Sequence, residues 1–306
     1  MRIGVGLDMD GPLERTLERA RTLSELGFSS MWSSQIFGPD TLTVLAIVGR
    51  ELAHLDLGTA VVPVQPRHPS MLAAQARTVQ EAIGGRLSLG IGLSHQVIVE
   101  NLWGIPFDRP ATYMQQYLEA LAPMLRGESV ATEGELVRAV ATGPLGPKDV
   151  AAPSLVVAAL GPRMLRLAGT LADGTILWMT GRHTITSHVV PTITAAADAA
   201  GRPAPRVVCS LPITVTDDPA GARQRINEVF AVYATLPSYA AMLEKEGATQ
   251  PAEVSLVGSR SEVLEQLAQL AEAGVSEFSG VVTGSPGERE ATLATLLDFA
   301  ATHPAA

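Results

Sequence analysis

His95 is the residue whose type and setting point most directly to chemistry. It follows LSLGIGLS (87–94), where Leu87, Leu89, Ile91 and Leu93 alternate with small residues, at the point where the chain should leave a buried strand. Imidazole titrates near neutrality, so a histidine there can carry a proton or can orient a bound group by hydrogen bonds. Gln35, in Ser33-Ser34-Gln35, cannot move protons but can hydrogen-bond a ligand. Ser34 and Asp8 occupy similar exits and are candidate substrate contacts; capping of the first helix is the alternative for Asp8. Trp178 is a core residue or a wall of the same pocket.

Gly161-Pro162-Arg163 is a candidate anion site. Glycine lets the backbone approach a ligand closely, and proline at the first helical position forfeits no needed N–H. The free amides of that helix start would face the anion, and Arg163 or Arg166 could add a charge-assisted bond. Thr283-Gly284-Ser285, after the last strand, competes for the same role. A plain strand-to-helix turn is the alternative for Gly161-Pro162.

Other chemistries find no support. The six histidines (His54, His68, His95, His183, His188, His303) lack metal-ligand spacing, so no metal is expected. Asp8 and Asp10 share one exit, which leaves no facing carboxylate pair. There is no G-x-S-x-G elbow and no phosphate-binding P-loop. Cys209 is the only cysteine, which fits a reducing cytoplasm. A net charge of −9 argues against nucleic acid or an anionic membrane surface as partner. No apolar stretch reaches the roughly 18 residues of a membrane span, and MRIGVGLDMDG does not resemble a leader.

Eight apolar runs must position these exits. They are 2–7, 28–32, 57–63, the run opening at Leu87, 154–160, 174–179, 206–216 and 278–283. Helical spacing follows each, as in Leu72, Ala76, Val79 and Ile83 before Gly84-Gly85. Strands apolar on both faces belong in a parallel sheet. Eight βα units in 306 residues predict an α/β fold, a (β/α)8 TIM barrel with insertions, as one domain over residues 1–306. Residues 126–152 and 247–258 are the expected excursions. An open doubly wound sheet would need a G-x-G-x-x-G turn after the first strand, and GLDMDGP is not one.

GFSSMWSSQIF, GTAVVPVQPRHPSMLAAQARTVQEAIGGRLSLGIGLSHQ, NLWGIPFDRPATYMQQYLEAL and AALGPRMLRLAGTLADGTILWMTG carry a resemblance across nearly the whole chain. Together they resemble the luciferase-like monooxygenase superfamily, in its branch that uses the deazaflavin coenzyme F420. The resemblance implies a barrel, a homodimer, and hydride transfer between the deazaflavin and a small organic substrate; Ser34-Gln35, which offers no histidine base, favours reduction. It implies a non-prolyl cis peptide within Thr59, Ala60 and Val61. It also places Gly90, Gly92, Ser94 and His95 beside the ring, the glycines leaving room for it. Ala159, Leu160, Gly161, Pro162 and Arg163 would meet the phosphate-bearing chain, and Thr180, Gly181 and Arg182 the turn after the sixth strand. Arg67-His68 and Arg182-His183, as charged pairs, are candidates for a positive rim toward the cofactor's acidic tail, with solvated surface charge as the alternative for each. Loops 98–110, 129–150 and 235–256 would shape the substrate pocket. An FMN-dependent monooxygenase on the same scaffold is the first alternative, and a non-catalytic barrel that binds flavin or deazaflavin is the second.

Overall fold

Each apolar run becomes a strand, and the segment after it becomes a helix. The structure, a computed structural model, describes residues 1–35 and 37–303. The barrel strands are β1 Arg2–Gly6, β2 Ser30–Ser33, β3 Asp56–Thr59, β4 Leu87–Gly92, β5 Ser154–Ala158, β6 Gly174–Trp178, β7 Arg206–Val215 and β8 Glu277–Val282. They neighbour one another in sequence order, and pairing of β6 with β7 and of β8 with β1 closes the ring. The fold is therefore the expected (β/α)8 barrel. Its C-terminal strand ends are where such a fold carries function.

The chain divides into two compact units. The first comprises Leu7–Ala158 and Leu167–Gly174 and holds β2 to β5. Ser30 pairs with Asp56 through to Ser33 with Thr59, and Ser88 with Ser154 through to Ile91 with Val157, all parallel. β3 breaks after Thr59 and resumes at Val62–Pro63, where Val62 faces Ile91 and Pro63 faces Gly92 of β4. The helix Pro69–Ala82 stops where Gly84 and Gly85 take φ of 68° and 86°, values that only glycine adopts cheaply.

The first excursion carries an antiparallel hairpin, Val130–Glu133 with Arg138–Ala141. Buried Arg77 ties this excursion down. Its guanidinium donates to the carbonyls of Leu125 at 2.6 Å and Leu145 at 3.0 Å, and also to that of Pro147. A buried cation is tolerable when its donors are bonded in this way.

The second unit comprises residues 1–6, 159–166 and the chain from Thr175 onward, and holds β1, β6, β7 and β8. Arg2 pairs with Glu277 through to Val5 with Gly280, and Val208 with Glu277 through to Ile213 with Val282. Cys209 on β7 is fully buried; burial pushes its thiol up to about 12, so it stays protonated and is no nucleophile. The helical segment after β6 contains a π turn, Ile185–Val189, between Arg182–Thr184 and Val190–Ala199. After β7 the helical run breaks at Pro237 into Pro219–Thr235 and Pro237–Glu246. The second excursion adds a short strand, Leu256–Gly258, parallel to the end of β7. Among the described residues no helix is long and apolar enough to cross a membrane.

Candidate functional site

In the first unit, the end of β2 braces the break in β3. The peptide between Ala60 and Val61 is cis, within the expected stretch. The Ala60 N–H donates to the Ser33 carbonyl at 2.7 Å, and the Gln35 N–H donates to the Val61 carbonyl at 3.1 Å. The Ser34 hydroxyl donates to the Ala60 carbonyl at 2.7 Å, and the Ser33 hydroxyl to that of Leu7 at 2.8 Å. Ser34, expected to touch substrate, is thus bonded to the ledge formed by Ala60 and Val61. The Gln35 amide is committed at both ends, contrary to the expectation that it faces a ligand. Its nitrogen donates to the Pro39 carbonyl at 3.2 Å, and its oxygen accepts from the Thr41 N–H at 2.8 Å. Gln35 thereby fastens its own loop to the start of the helix Thr41–Glu51.

Asp8 also has a local partner. One carboxylate oxygen lies 2.9 Å from the Arg19 guanidinium and the other accepts from the Asp10 N–H at 2.9 Å. Asp8 does not cap the first helix, Leu13–Glu25, whose N-cap is Pro12 without a side-chain bond; it pairs with Arg19 on that helix instead. Arg67 pairs with Asp40 at 2.9 Å, and the His68 ring bonds the Arg138 carbonyl at 2.9 Å. That stretch of the supposed positive rim is bonded internally.

The glycines of β4 serve a purpose other than the expected one. A Cβ at position 90 would collide with the Thr59 carbonyl oxygen, and one at position 92 would lie 2.7 Å from Val61 Cγ2. The missing side chains admit the irregular β3 ledge, so the space beside them is already filled. Thr59 reinforces the contact: its hydroxyl donates to the Gly90 carbonyl at 2.7 Å and accepts from the Gly90 N–H at 2.8 Å. Beyond the strand, Ser94 adopts φ 56°, an uncommon value for a residue with a side chain. It turns the chain into a short helix, Gln96–Asn101, with His95 half-buried at its start. Burial holds the His95 imidazole below its ordinary pKa, so at pH 7 it is neutral.

In the second unit, Ala159 is buried and Leu160 half-buried, and the chain then enters the helix Pro162–Leu171. A Cβ at Gly161 would meet nothing within 4 Å. Arg163 is exposed. Met179, past the end of β6, has φ 50°. Thr180 is buried and bonds the Trp178 carbonyl at 3.1 Å. The next helix start is already capped from within the chain: Glu246 accepts from the N–H groups of His183 at 3.0 Å and Thr184 at 2.7 Å. A Cβ at Gly181 would collide with that carboxylate. The Arg182 side chain is exposed. Trp178 stands edge-on to Phe230 at 5.5 Å and to Tyr233 at 5.6 Å. The sequence offers no signal for Glu246, because it acts across 62 positions from an unrelated helix.

Thr283-Gly284-Ser285 borders a cavity of about 830 Å3 that Thr214, Asp217, Arg225, Phe230 and Glu288 also line. The Ser285 N–H is taken by Glu288 at 2.7 Å, and Arg225 by the same carboxylate at 2.8 Å. The Ser285 N–H and the Thr216 hydroxyl hold the Glu288 carboxyl down at about 2. Its lasting negative charge, beside Asp217, makes this end a poor place for a phosphate. Of the two phosphate candidates, Gly161-Pro162 keeps its space open.

The curated relatives include a 5,10-methylenetetrahydromethanopterin reductase of Methanolobus tindarius, 25% identical over 85% of this chain and 79% of its own. Among solved structures, the F420-dependent tetrahydromethanopterin reductase from Methanopyrus kandleri superimposes with a TM-score of 0.80 at 20% identity, over 96% of this chain and 98% of its own. The oxygenating constituent of 3,6-diketocamphane monooxygenase from Pseudomonas putida, in complex with FMN, gives 0.73 at 17% identity, over 97% and 96%. At such identities these two structures share the fold. The luciferase-like monooxygenase profile matches residues 1–277, and the chain belongs to that family.

Proposed function

We propose that this protein is a coenzyme F420-dependent oxidoreductase that reduces a small organic substrate, working as a homodimer in the cytoplasm. The family to which the chain belongs carries the reading, and a feature within each unit supports it: the built, irregular ledge at Ala60–Val61 in the first and the open glycine at 161 in the second. The residues present fit such a cofactor. Ala60 and Val61, braced by Ser34, offer a fixed apolar surface for a ring. Gly161 and the start of Pro162–Leu171 offer close backbone approach and the amides of a helix N-terminus for a phosphate. When bound, the deazaflavin supplies the carbon that gives or takes the hydride.

The chain's own part is positioning, exclusion of water and management of one proton. His95 is the group placed for the proton. Its depressed pKa makes the protonated imidazole a stronger acid but a scarcer one at pH 7. Thr180, bonded to the Trp178 carbonyl, and Gly181, packed against the Glu246 carboxylate, act through the turn they shape.

An FMN-dependent monooxygenase is the second reading, supported by the likeness to the FMN-bound structure. Anaerobic fluorescence titration of the purified protein separates the two. Binding of F420 in the micromolar range with no measurable FMN binding is expected. Retention of FMN through purification would reverse the assignment, and failure to bind either would favour a non-catalytic barrel.

A further inference from the structure

His188 sits in the π turn Ile185–Val189, and its Nε2 lies 2.9 Å from the Leu160 carbonyl oxygen. A carbonyl only accepts, so the ring proton in this bond is on Nε2. β5 ends at Ala158, so the Leu160 carbonyl lies beyond the strand and draws its partner from a side chain. The preceding carbonyl, of Ala159, accepts in the same way from the Thr175 hydroxyl at 3.4 Å. Two side chains from later elements thus hold the two residues just before Gly161.

This restraint has a reason. Glycine has the widest backbone freedom of any residue, and Gly161 has open space where a side chain would stand. Pro162 and the bond from the Leu165 N–H to the Gly161 carbonyl start the helix Pro162–Leu171, and the bonds to Ala159 and Leu160 hold the segment that leads into it. The π turn supplies the means. One extra residue in a helix rotates the downstream turns by about 100°, and such bulges re-aim side chains. Ile185, Val189, Ile193 and Ala197 keep one face buried while His188, half-buried, turns toward the 159–161 segment.

We infer that His188 is a positioning residue for cofactor binding: by holding the Leu160 carbonyl it sets Gly161 and the first turn of Pro162–Leu171 to receive the phosphate of the cofactor. The inference rests on the proposed use of F420. It assigns His188 no contact with substrate and no proton transfer.

The test compares affinity for F420 with affinity for its phosphate-free form, the 8-hydroxy-5-deazariboflavin chromophore, by fluorescence titration. H188A should weaken F420 about tenfold, the scale of one lost hydrogen bond. It should leave the phosphate-free form within about twofold. H188Q, whose side-chain amide can reach the place of Nε2, should restore most of the F420 affinity, whereas H188L, similar in size but without a donor, should not. Circular dichroism checks the fold of each variant; should H188A fail to fold, the H188Q and H188L pair decides. Equal weakening of both ligands, no weakening of either, or full affinity in H188L overturns the inference alone. A wild-type protein that binds neither form overturns the cofactor reading and this inference with it.

Discussion

The β3–β4 end and the β5 end both turn on glycine, for opposite reasons. At Gly90 the missing Cβ is replaced by the protein itself, because the Thr59 carbonyl occupies that place. At Gly161 nothing occupies it within 4 Å. The first glycine permits a packed ledge and the second leaves a surface bare. A glycine at a strand exit is therefore ambiguous until its neighbours are known. The bare position is the better pointer to a ligand, because the packed one is already explained by the fold.

Substitutions at the two positions should part company. Gly90→Ala forces a Cβ against backbone that cannot move independently, so a loss of at least about 3 kcal/mol in urea unfolding, or failure to fold, is expected. A mild loss would mean that the ledge yields. Gly161→Val should change stability by less than about 1 kcal/mol, since a Cβ there lies in open space. It should still weaken F420 about tenfold if the phosphate comes this close, and unchanged affinity would leave the open space without a ligand.

The smallest effect concerns His95. The folded protein favours its neutral ring, whereas the unfolded chain titrates near the ordinary 6.5. Its contribution to stability is therefore present above pH 6.5 and is lost as pH falls from there through the depressed folded value. His95→Gln should flatten that limb of the unfolding profile slightly. Turnover carries the larger sign. With the protonated ring as donor, reduction should quicken as pH falls below about 6.5, and H95A should lower turnover while leaving F420 affinity nearly unchanged. A pH profile indifferent to H95A would remove the residue from the reaction.

Much of the architecture was legible along the chain. Strand β7, expected at 206–216, spans Arg206–Val215, and the helix expected upstream of Gly84-Gly85 spans Pro69–Ala82. Such elements announce themselves through local periodicity and stop signals. The π turn was not read, although Pro191, which cannot donate to the helix ladder, comes just after Ile185–Val189 and is the one local signal of an irregularity there. The hairpin at 130–141 was hidden because its strands are only four residues long and lie within a stretch rich in glycine, proline and charge. At the site, family likeness located the cis peptide and the glycine–proline turn singled out 161, yet Gln35 reads identically whether its amide faces a ligand or its own loop.

By itself the sequence determined the barrel, the strand order and the positions that stand at strand ends, because apolar spacing and glycine or proline punctuation act over a few neighbouring residues. Only the tertiary structure decided which of those positions are occupied by the protein and which are open. The Thr59 hydroxyl reaches Gly90 across 31 residues, Glu246 caps Thr184 across 62, and His188 holds Leu160 across 28. Contacts of that range leave no period in the chain, since each depends on where two separate elements come to rest.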